Sequence, residues 1–382
     1  MTLRIGLDAR EGFRDAPRGI GLYCRHLMRE LAEYGDELHV VAYHERPIPP
    51  DMPPLAANIE PKRVEMKGSR LHLWEKVRIP LQIRADRIDV YHGTYNTIPP
   101  RFVRWRAPAL LVTLHDVVMT WWDGDPPGIY GEHMRRVTPR VCRQADRILT
   151  VSEFSKRDIC QRFGVEEERV EVFHNGIPPA LLRDPAPGTA EQARQRFAQG
   201  QPYVFTIGSP TVRKNTRGII RALGRLKQTG HLRHRAVITG LQPADRQMFA
   251  AFAEEHGLLE DVDLHGYLTV EDVAAVYAGA DLTIYASFAE GWGIPIVESL
   301  SMGTPVVTSN TTSMPEAGRD HVRYFDPSDL DEMTQVIGAA LDDLGALAVQ
   351  REAGIQYGRG FTWRAAVERT VAVYRSLAAA RR

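Results

Sequence analysis

The chain has 382 residues, 43% of them hydrophobic and 25% charged, with 48 basic against 48 acidic side chains. That length fits two domains of ordinary size, and the balanced charge gives no global signal for nucleic acid. Its three cysteines, Cys24, Cys142 and Cys160, are scattered with no CxxC pair, which argues against a disulfide framework or a zinc site and for a reducing cytoplasm.

In chain order, the N-terminus enters a strand directly, LRIGLDA (3–9), with no apolar leader core, and no apolar run reaches membrane-spanning length. A soluble or at most peripheral protein is expected. The loop REGFRDAPRGIG leads to a predicted helix over 22–35. Arg18-Gly19-Ile20-Gly21 stands at its entrance, where backbone N–H groups suit a phosphate; plain turn-forming glycine is the alternative. A dinucleotide-binding fingerprint would want a third glycine where the chain has Cys24, which weakens a dehydrogenase reading. ELHVVAYH (37–44) predicts the second strand, and residues 47–61 are proline-rich and loop-like. Between Lys62 and Arg106 there are 11 Lys/Arg against 4 Asp/Glu, interleaved with Leu71, Trp74, Val77, Phe102 and Trp105. A basic aromatic surface would suit an anionic membrane or a diphosphate-linked lipid. The segment LHLWEKVRIPLQI, however, has helical spacing, which favours apolar residues in a core and charges in solvent.

Residues 88–100 predict a strand ending at His92, and residues 107–118 a buried strand ending at His115-Asp116. Functional residues gather at the carboxyl ends of strands in open α/β sheets, so His115 is well placed. Asp116 is expected to orient its ring. WWDGDPP (121–127) carries Asp123 and Asp125 in a loop whose central glycine is typical of a turn. Residues 145–164 read as strand, Ser152 cap and helix, and 170–178 as the last strand of this half. Proline and glycine content marks 184–202 as the linker.

The second half restarts with the strand YVFTIG (203–208), ending at Gly208. Arg213-Lys214 then precede a helix that Asn215 or Thr216 is expected to cap, and a cationic pair there suits a diphosphate. Residues 280–288 read as a buried strand running into EGWGIPIVESLSMGTPVV (290–307). Pro295 suits the first turn of a helix that Gly303 ends. Strand, glycine loop and helix entrance make an anion site, with Glu290 before it and Glu298 expected in the first turn, set to reach opposite ends of one elongated ligand. The chain closes with an amphipathic helix over 361–377.

The Glu290-x7-Glu298 spacing inside that eighteen-residue stretch resembles the signature of family-four glycosyltransferases, which are retaining, sugar-nucleotide-dependent and metal-independent. The resemblance implies an α/β GT-B fold: two Rossmann-like domains facing across a cleft, with a C-terminal helix crossing back to the first. Residues 1–180 with 363–382 would form the acceptor-side domain and 181–362 the nucleotide-sugar domain. It further implies that Glu298 binds the ribose, and that Arg213 and Lys214 neutralise the diphosphate. Gly208 and the N–H groups of Gly19, Gly21, Gly291, Trp292, Gly293 and Ile294 would assist, while Tyr267 borders the base. Glu290 and His115 would hold the transferred sugar, so His115, Glu290, Lys214 and Arg213 are the catalytic set, with His92 a weaker candidate for the acceptor side. Ser209 departs from the family's frequent Arg, which leaves more of the diphosphate charge to Lys214. Asp123 and Asp125, an acid-x-acid pattern elsewhere used for metal, become loop chemistry here. No metal and no cofactor are expected. The overall look is most similar to bacterial mannosyltransferases using GDP-mannose; dTDP-rhamnose, UDP-glucose or UDP-GlcNAc remain alternative donors. The implied acceptor is a saccharide on a polyprenyl diphosphate, with no nucleic acid, at a cytoplasmic or peripheral inner-membrane location. A sugar-nucleotide epimerase, a pyridoxal-dependent phosphorylase and a non-catalytic sensor are the rival classes.

Overall fold

The computed structural model describes residues 2–50, 52–65, 74–100, 108–125 and 128–381. Its internal contacts divide it into two units, one of Met1–Trp121, Pro127–Gly176 and Trp363–Arg382, the other of Trp122–Pro126 and Ile177–Thr362.

The first unit holds β1 (Leu3–Asp8), β2 (Leu38–His44), β3 (Ile59–Arg63), β4 (Val90–Gly93), β5 (Ala109–Thr113), β6 (Arg147–Thr150) and β7 (Val170–Val172). They form one parallel sheet in the order β3-β2-β1-β4-β5-β6-β7. Near-continuous apolar runs such as ALLVT in β5, buried along its whole length, are what a parallel strand covered on both faces requires. β3 lies inside the stretch expected to be loop. Its Pro61 has no N–H to give, and the strand sits at the sheet's edge, where proline is tolerated.

The second unit repeats the plan with β8 (Tyr203–Ile207), β9 (Arg235–Thr239), β10 (Val262–Leu264), β11 (Leu282–Tyr285), β12 (Val306–Ser309) and β13 (Arg323–Phe325). Its parallel order is β10-β9-β8-β11-β12-β13. In each sheet the chain winds outward from a central strand, returns, and winds the other way. The reversal falls between β1 and β4 and between β8 and β11, and crevices beyond the carboxyl ends at such reversals are where α/β sheets bind ligands.

Two expectations need correction. Residues 184–202, whose composition predicts a linker, contain a helix, Thr189–Ala198, whose Ala193 and Phe197 are buried in the second unit. Its flanking Pro and Gly mark only its ends. The chain passes between units at Gly176–Ile177 instead. Within LHLWEKVRIPLQI, Trp74, Ile79 and Ile83 are buried as their spacing predicts, but Val77 and Leu81 are exposed. Residues 66–73 and 101–107 of the basic stretch lie outside the described residues.

The C-terminal helix, Trp363–Ala379, belongs to the first unit and buries Trp363, Val367, Val371 and Tyr374 along one face. Among the described residues no helix is long and apolar enough to cross a membrane.

Candidate active site

β8 ends at Ile207, and the Gly208 N–H bonds Thr239 O at 2.8 Å. A Cβ at Gly208 would lie 2.6 Å from Ile238 Cγ2, so only glycine lets the chain leave the sheet this close to β9. Its N–H is therefore part of the sheet, not a free donor for a diphosphate. The short turn Val212–Lys214 follows, then Asn215 in the left-handed conformation (φ 53°) and the helix Thr216–Gln228. The expected cap is absent, with no side-chain cap bond at Asn215. Asn215 Nδ2 reaches Pro327 O, and Thr216 Oγ1 is engaged with the backbone of Ser209 instead.

From the neighbouring strand β11, the loop 286–293 brings Glu290 to this turn. Lys214 Nζ lies 2.6 Å from Glu290 Oε1 and Arg213 Nη1 2.8 Å from Oε2, with the Glu290 side chain 9% exposed. Arg213 Nη1 also donates to Ala289 O. Burial on its own would raise the Glu290 carboxyl, but the two cations hold it down at about 2. Burial works against the Lys214 ammonium, yet Glu290 keeps it above the usual lysine range. Burial and the same carboxylate push the adjacent Tyr285 phenol up to about 12. The site at rest is a carboxylate clasped by two permanent cations.

The Glu290 backbone is fixed as firmly. Its N–H donates to Thr312 Oγ1 (3.1 Å), and Ser313 Oγ donates to its carbonyl (2.9 Å). Thr312 has φ 51°, an outlying conformation for a β-branched residue, of the kind that persists where surrounding contacts determine it. Nothing in the residue types of 309–318 points to this cradle beyond a loop near the helix.

The helix Ile294–Ser301 starts at Gly293, where a Cβ would lie 2.8 Å from Ile296 Cδ1 and 2.9 Å from Ala317 Cβ. Pro295 has no N–H, and that of Ile296 bonds Gly293 O at 2.9 Å. The first turn thus offers fewer free donors than an ordinary helix start, and the anion site rests more on the cations than expected. Gly291 is buried, and Trp292 is buried with its ring 5.5 Å from Phe361. Glu298 lies one turn into the helix rather than at its start. Its Oε2 accepts from Tyr277 OH at 3.0 Å, and burial raises the carboxyl to about 7 even though the tyrosine bond opposes it. Tyr267, just beyond β10, is 52% exposed.

The first unit carries the remaining candidates. His115 follows β5, with its Nε2–H donating to Thr94 O (3.1 Å) and its ring edge-on to Tyr23 (4.8 Å). Its N–H donates to Asn96 Oδ1 at 2.9 Å. Burial lowers the imidazole to about 4, so it is neutral at pH 7 with Nδ1 as an acceptor. Thr94, not Asp116, sets the ring; Asp116 Oδ1 takes the Val118 N–H. His92 is a core residue, fully buried and bonded to Tyr374 OH and Thr113 Oγ1, each at 2.7 Å. This overturns its acceptor-side role. Gly19 (φ 47°) opens the helix Ile20–Leu31. Gly21 is committed elsewhere, because its N–H bonds Arg18 O (2.9 Å) and a Cβ would lie 2.8 Å from Glu11 O. Gly21 is therefore glycine for close packing, and its N–H is not free for a phosphate.

Among the described residues no three His, Cys, Asp or Glu side chains gather in a metal-holding group, and all three cysteines carry free thiols.

Residues 17–181 match the family model "Glycosyltransferase Family 4", and residues 189–359 match "Glycosyl transferases group 1". The O-antigen chain mannosyltransferase B of Escherichia coli is 27% identical over 375 residues, 94% of this chain and 96% of that protein. The MMP alpha-(1->4)-mannosyltransferase of Mycolicibacterium hassiacum is 28% identical over 406 aligned positions, covering 93% of this chain and 94% of that one. In fold, the sucrose-phosphate synthase of Thermosynechococcus elongatus superposes with a TM-score of 0.79 at 18% identity, covering 99% of this chain and all of that one. Two doubly wound sheets, a cation-clasped glutamate at the second reversal and these two adjoining matches agree: the chain belongs to the group 1 and family 4 glycosyltransferases, with the GT-B fold.

Proposed function

We propose that the chain transfers mannose from GDP-mannose, with retention, to a saccharide acceptor in surface-polysaccharide or glycan synthesis. The observation that carries the chemistry is the Lys214–Glu290–Arg213 cluster at the β8/β11 reversal, a buried carboxylate between two part-buried cations. Two cations held together beside a buried carboxylate suit a diphosphate, and that carboxylate suits sugar hydroxyls once the phosphate takes over the cations. Glu298 is assigned to the ribose, Tyr267 to the edge of the base, and neutral His115 of the first unit to the transferred sugar. The N–H groups of Gly19, Gly291, Trp292, Gly293 and Ile294 are assigned a supporting part. As the bond from the sugar C1 to the β-phosphate oxygen breaks, the electron pair stays on the phosphate, where Lys214 and Arg213 offset it. The acceptor oxygen bonds C1 on the same face, and its proton passes to the leaving phosphate. No metal is required in this scheme. Mannose is supported by the names of the two relatives; the polyprenyl-linked acceptor and the cytoplasmic, inner-membrane location rest on the family resemblance alone.

The test is incubation in EDTA with GDP-mannose, UDP-glucose, UDP-GlcNAc and dTDP-rhamnose, with and without lipid-linked saccharide acceptors, and assignment of the product anomer by NMR. The expected result is acceptor-dependent GDP release from GDP-mannose and a product with the donor's anomeric configuration. An inverted product would remove the retaining mechanism, and acceptor-independent conversion of the sugar nucleotide would make the protein an epimerase.

A further inference from the structure

The turn Val212–Lys214 carries both cations of the site, yet none of its residues is buried, and Val212 is 53% exposed. Hydrophobic burial therefore does not hold it. What holds it is the loop Trp122–Asp125, which belongs to the second unit although its neighbours in the chain belong to the first. Asp125 Oδ1 accepts the Val212 N–H at 2.6 Å, and Oδ2 accepts the Arg213 N–H at 2.9 Å. Oδ2 also accepts Trp122 Nε1–H at 2.8 Å. The Trp122 indole stacks on Phe288 with centroids 5.8 Å apart, and the Phe288 N–H donates to Arg213 O at 2.8 Å. Arg213 is thus bonded at its N–H by Asp125 and at its carbonyl by Phe288, while its guanidinium bonds Glu290. Gly124 allows this, because a Cβ there would lie 2.5 Å from Trp122 Cζ2 and displace the indole.

We propose that Asp125, aided by Trp122, is a positioning residue for the donor's diphosphate, fixing the turn so that Arg213 and Lys214 meet the two phosphates at a set spacing. This rests on the assignment of the diphosphate to Arg213 and Lys214. A carboxylate shared by two backbone N–H groups makes charge-assisted bonds, stronger than neutral ones, and a turn of three residues with none of them buried depends on such bonds for its position.

Calorimetric titration of the wild type and of D125A, D125N, W122F and K214A separates the possibilities. The probes are GDP and UDP, taking whichever the wild type binds more tightly, and the matching nucleoside. D125A is expected to weaken diphosphate binding about tenfold, the size of one charge-assisted hydrogen bond, and to leave nucleoside binding unchanged. D125N, which keeps one acceptor oxygen, and W122F, which keeps the stacking, should fall between D125A and the wild type. If D125A does not fold, D125N carries the test. Equal loss for diphosphate and nucleoside would overturn the proposal, as general loosening. Tighter diphosphate binding would overturn it too, because the carboxylate would then be occupying the phosphate's place. If K214A leaves diphosphate binding intact, it is the assignment of the site that fails, independently of Asp125.

Discussion

At the scale of single residues, the chemistry turns on two glutamates eight positions apart in opposite protonation settings. Glu290 lies between Lys214 and Arg213 and is held down at about 2 from the ordinary 4.5. Its folded value is depressed, so its contribution to stability is complete above about 4.5 and is lost as pH falls toward 2. Removing one partner of a buried pair leaves the other uncompensated, at a cost of about 3–5 kcal/mol. Urea unfolding of E290Q at pH 7 should show a loss of that order, and its acid unfolding should lack the dependence between 4.5 and 2 that the wild type shows. Glu298 is the reverse case, raised to about 7 by burial. The folded protein holds that proton more tightly than the unfolded chain, so stability falls as pH rises from about 4.5 to 7. E298Q should therefore gain thermal stability over the wild type more at pH 8 than at pH 5. If Glu298 takes the ribose hydroxyls in its ionised form, donor affinity of the wild type should drop by up to tenfold per unit below pH 7, and that of E298Q should stay flat. A donor affinity independent of pH in the wild type would remove an ionised Glu298 from the ribose.

At the scale of elements, the strands were legible because parallel strands covered on both faces are written as apolar runs, and β1, β2, β4, β5 and β11 fall where those runs fall. The Ser152 cap was legible for an equally local reason, and its Oγ accepts the Ser155 N–H at 2.9 Å. Arg213, Lys214 and Glu290 were legible from type and position, and the fold brings them together. What could not be read was long-range pairing. His92 ends a strand as a catalytic histidine would, but its partners are Thr113 and Tyr374, the latter 282 positions away. Gly21 matches a phosphate loop, yet its N–H is taken up three residues back by Arg18 O. Thr312 and Asp125 act on Glu290 and Arg213 from loops whose residue types carry no sign of those partners. One prediction follows from the His92 pairing. Tyr374→Phe removes the partner of a fully buried ring nitrogen and should destabilise the protein by about 1–3 kcal/mol. Because the change lies in the first unit, diphosphate affinity at Lys214 should be unaltered. A loss of affinity equal to that of K214A would show that the two units do not behave separately.

At the scale of the whole molecule, the two family matches end at residue 359, but the first unit does not. Its core is completed by Trp363, Val367, Val371 and Tyr374 of the C-terminal helix. Burying a side chain of this size contributes roughly 1.5–3 kcal/mol, so their joint loss is comparable to the 5–15 kcal/mol that holds a typical domain together. Truncation after Thr362 should leave the first unit open to limited proteolysis. Whether Lys214 and its partners hold the diphosphate of a sugar-nucleotide donor is decided by thermal unfolding of the wild type and K214A against GDP-mannose in metal-free buffer. A donor at ~100 times its Kd adds about 2.7 kcal/mol, enough for a clear rise in Tm. That rise is expected in the wild type, with its near loss in K214A at the same donor concentration. An equal rise in both proteins would contradict it, as would no rise in the wild type with GDP-, UDP-, dTDP- or ADP-sugars.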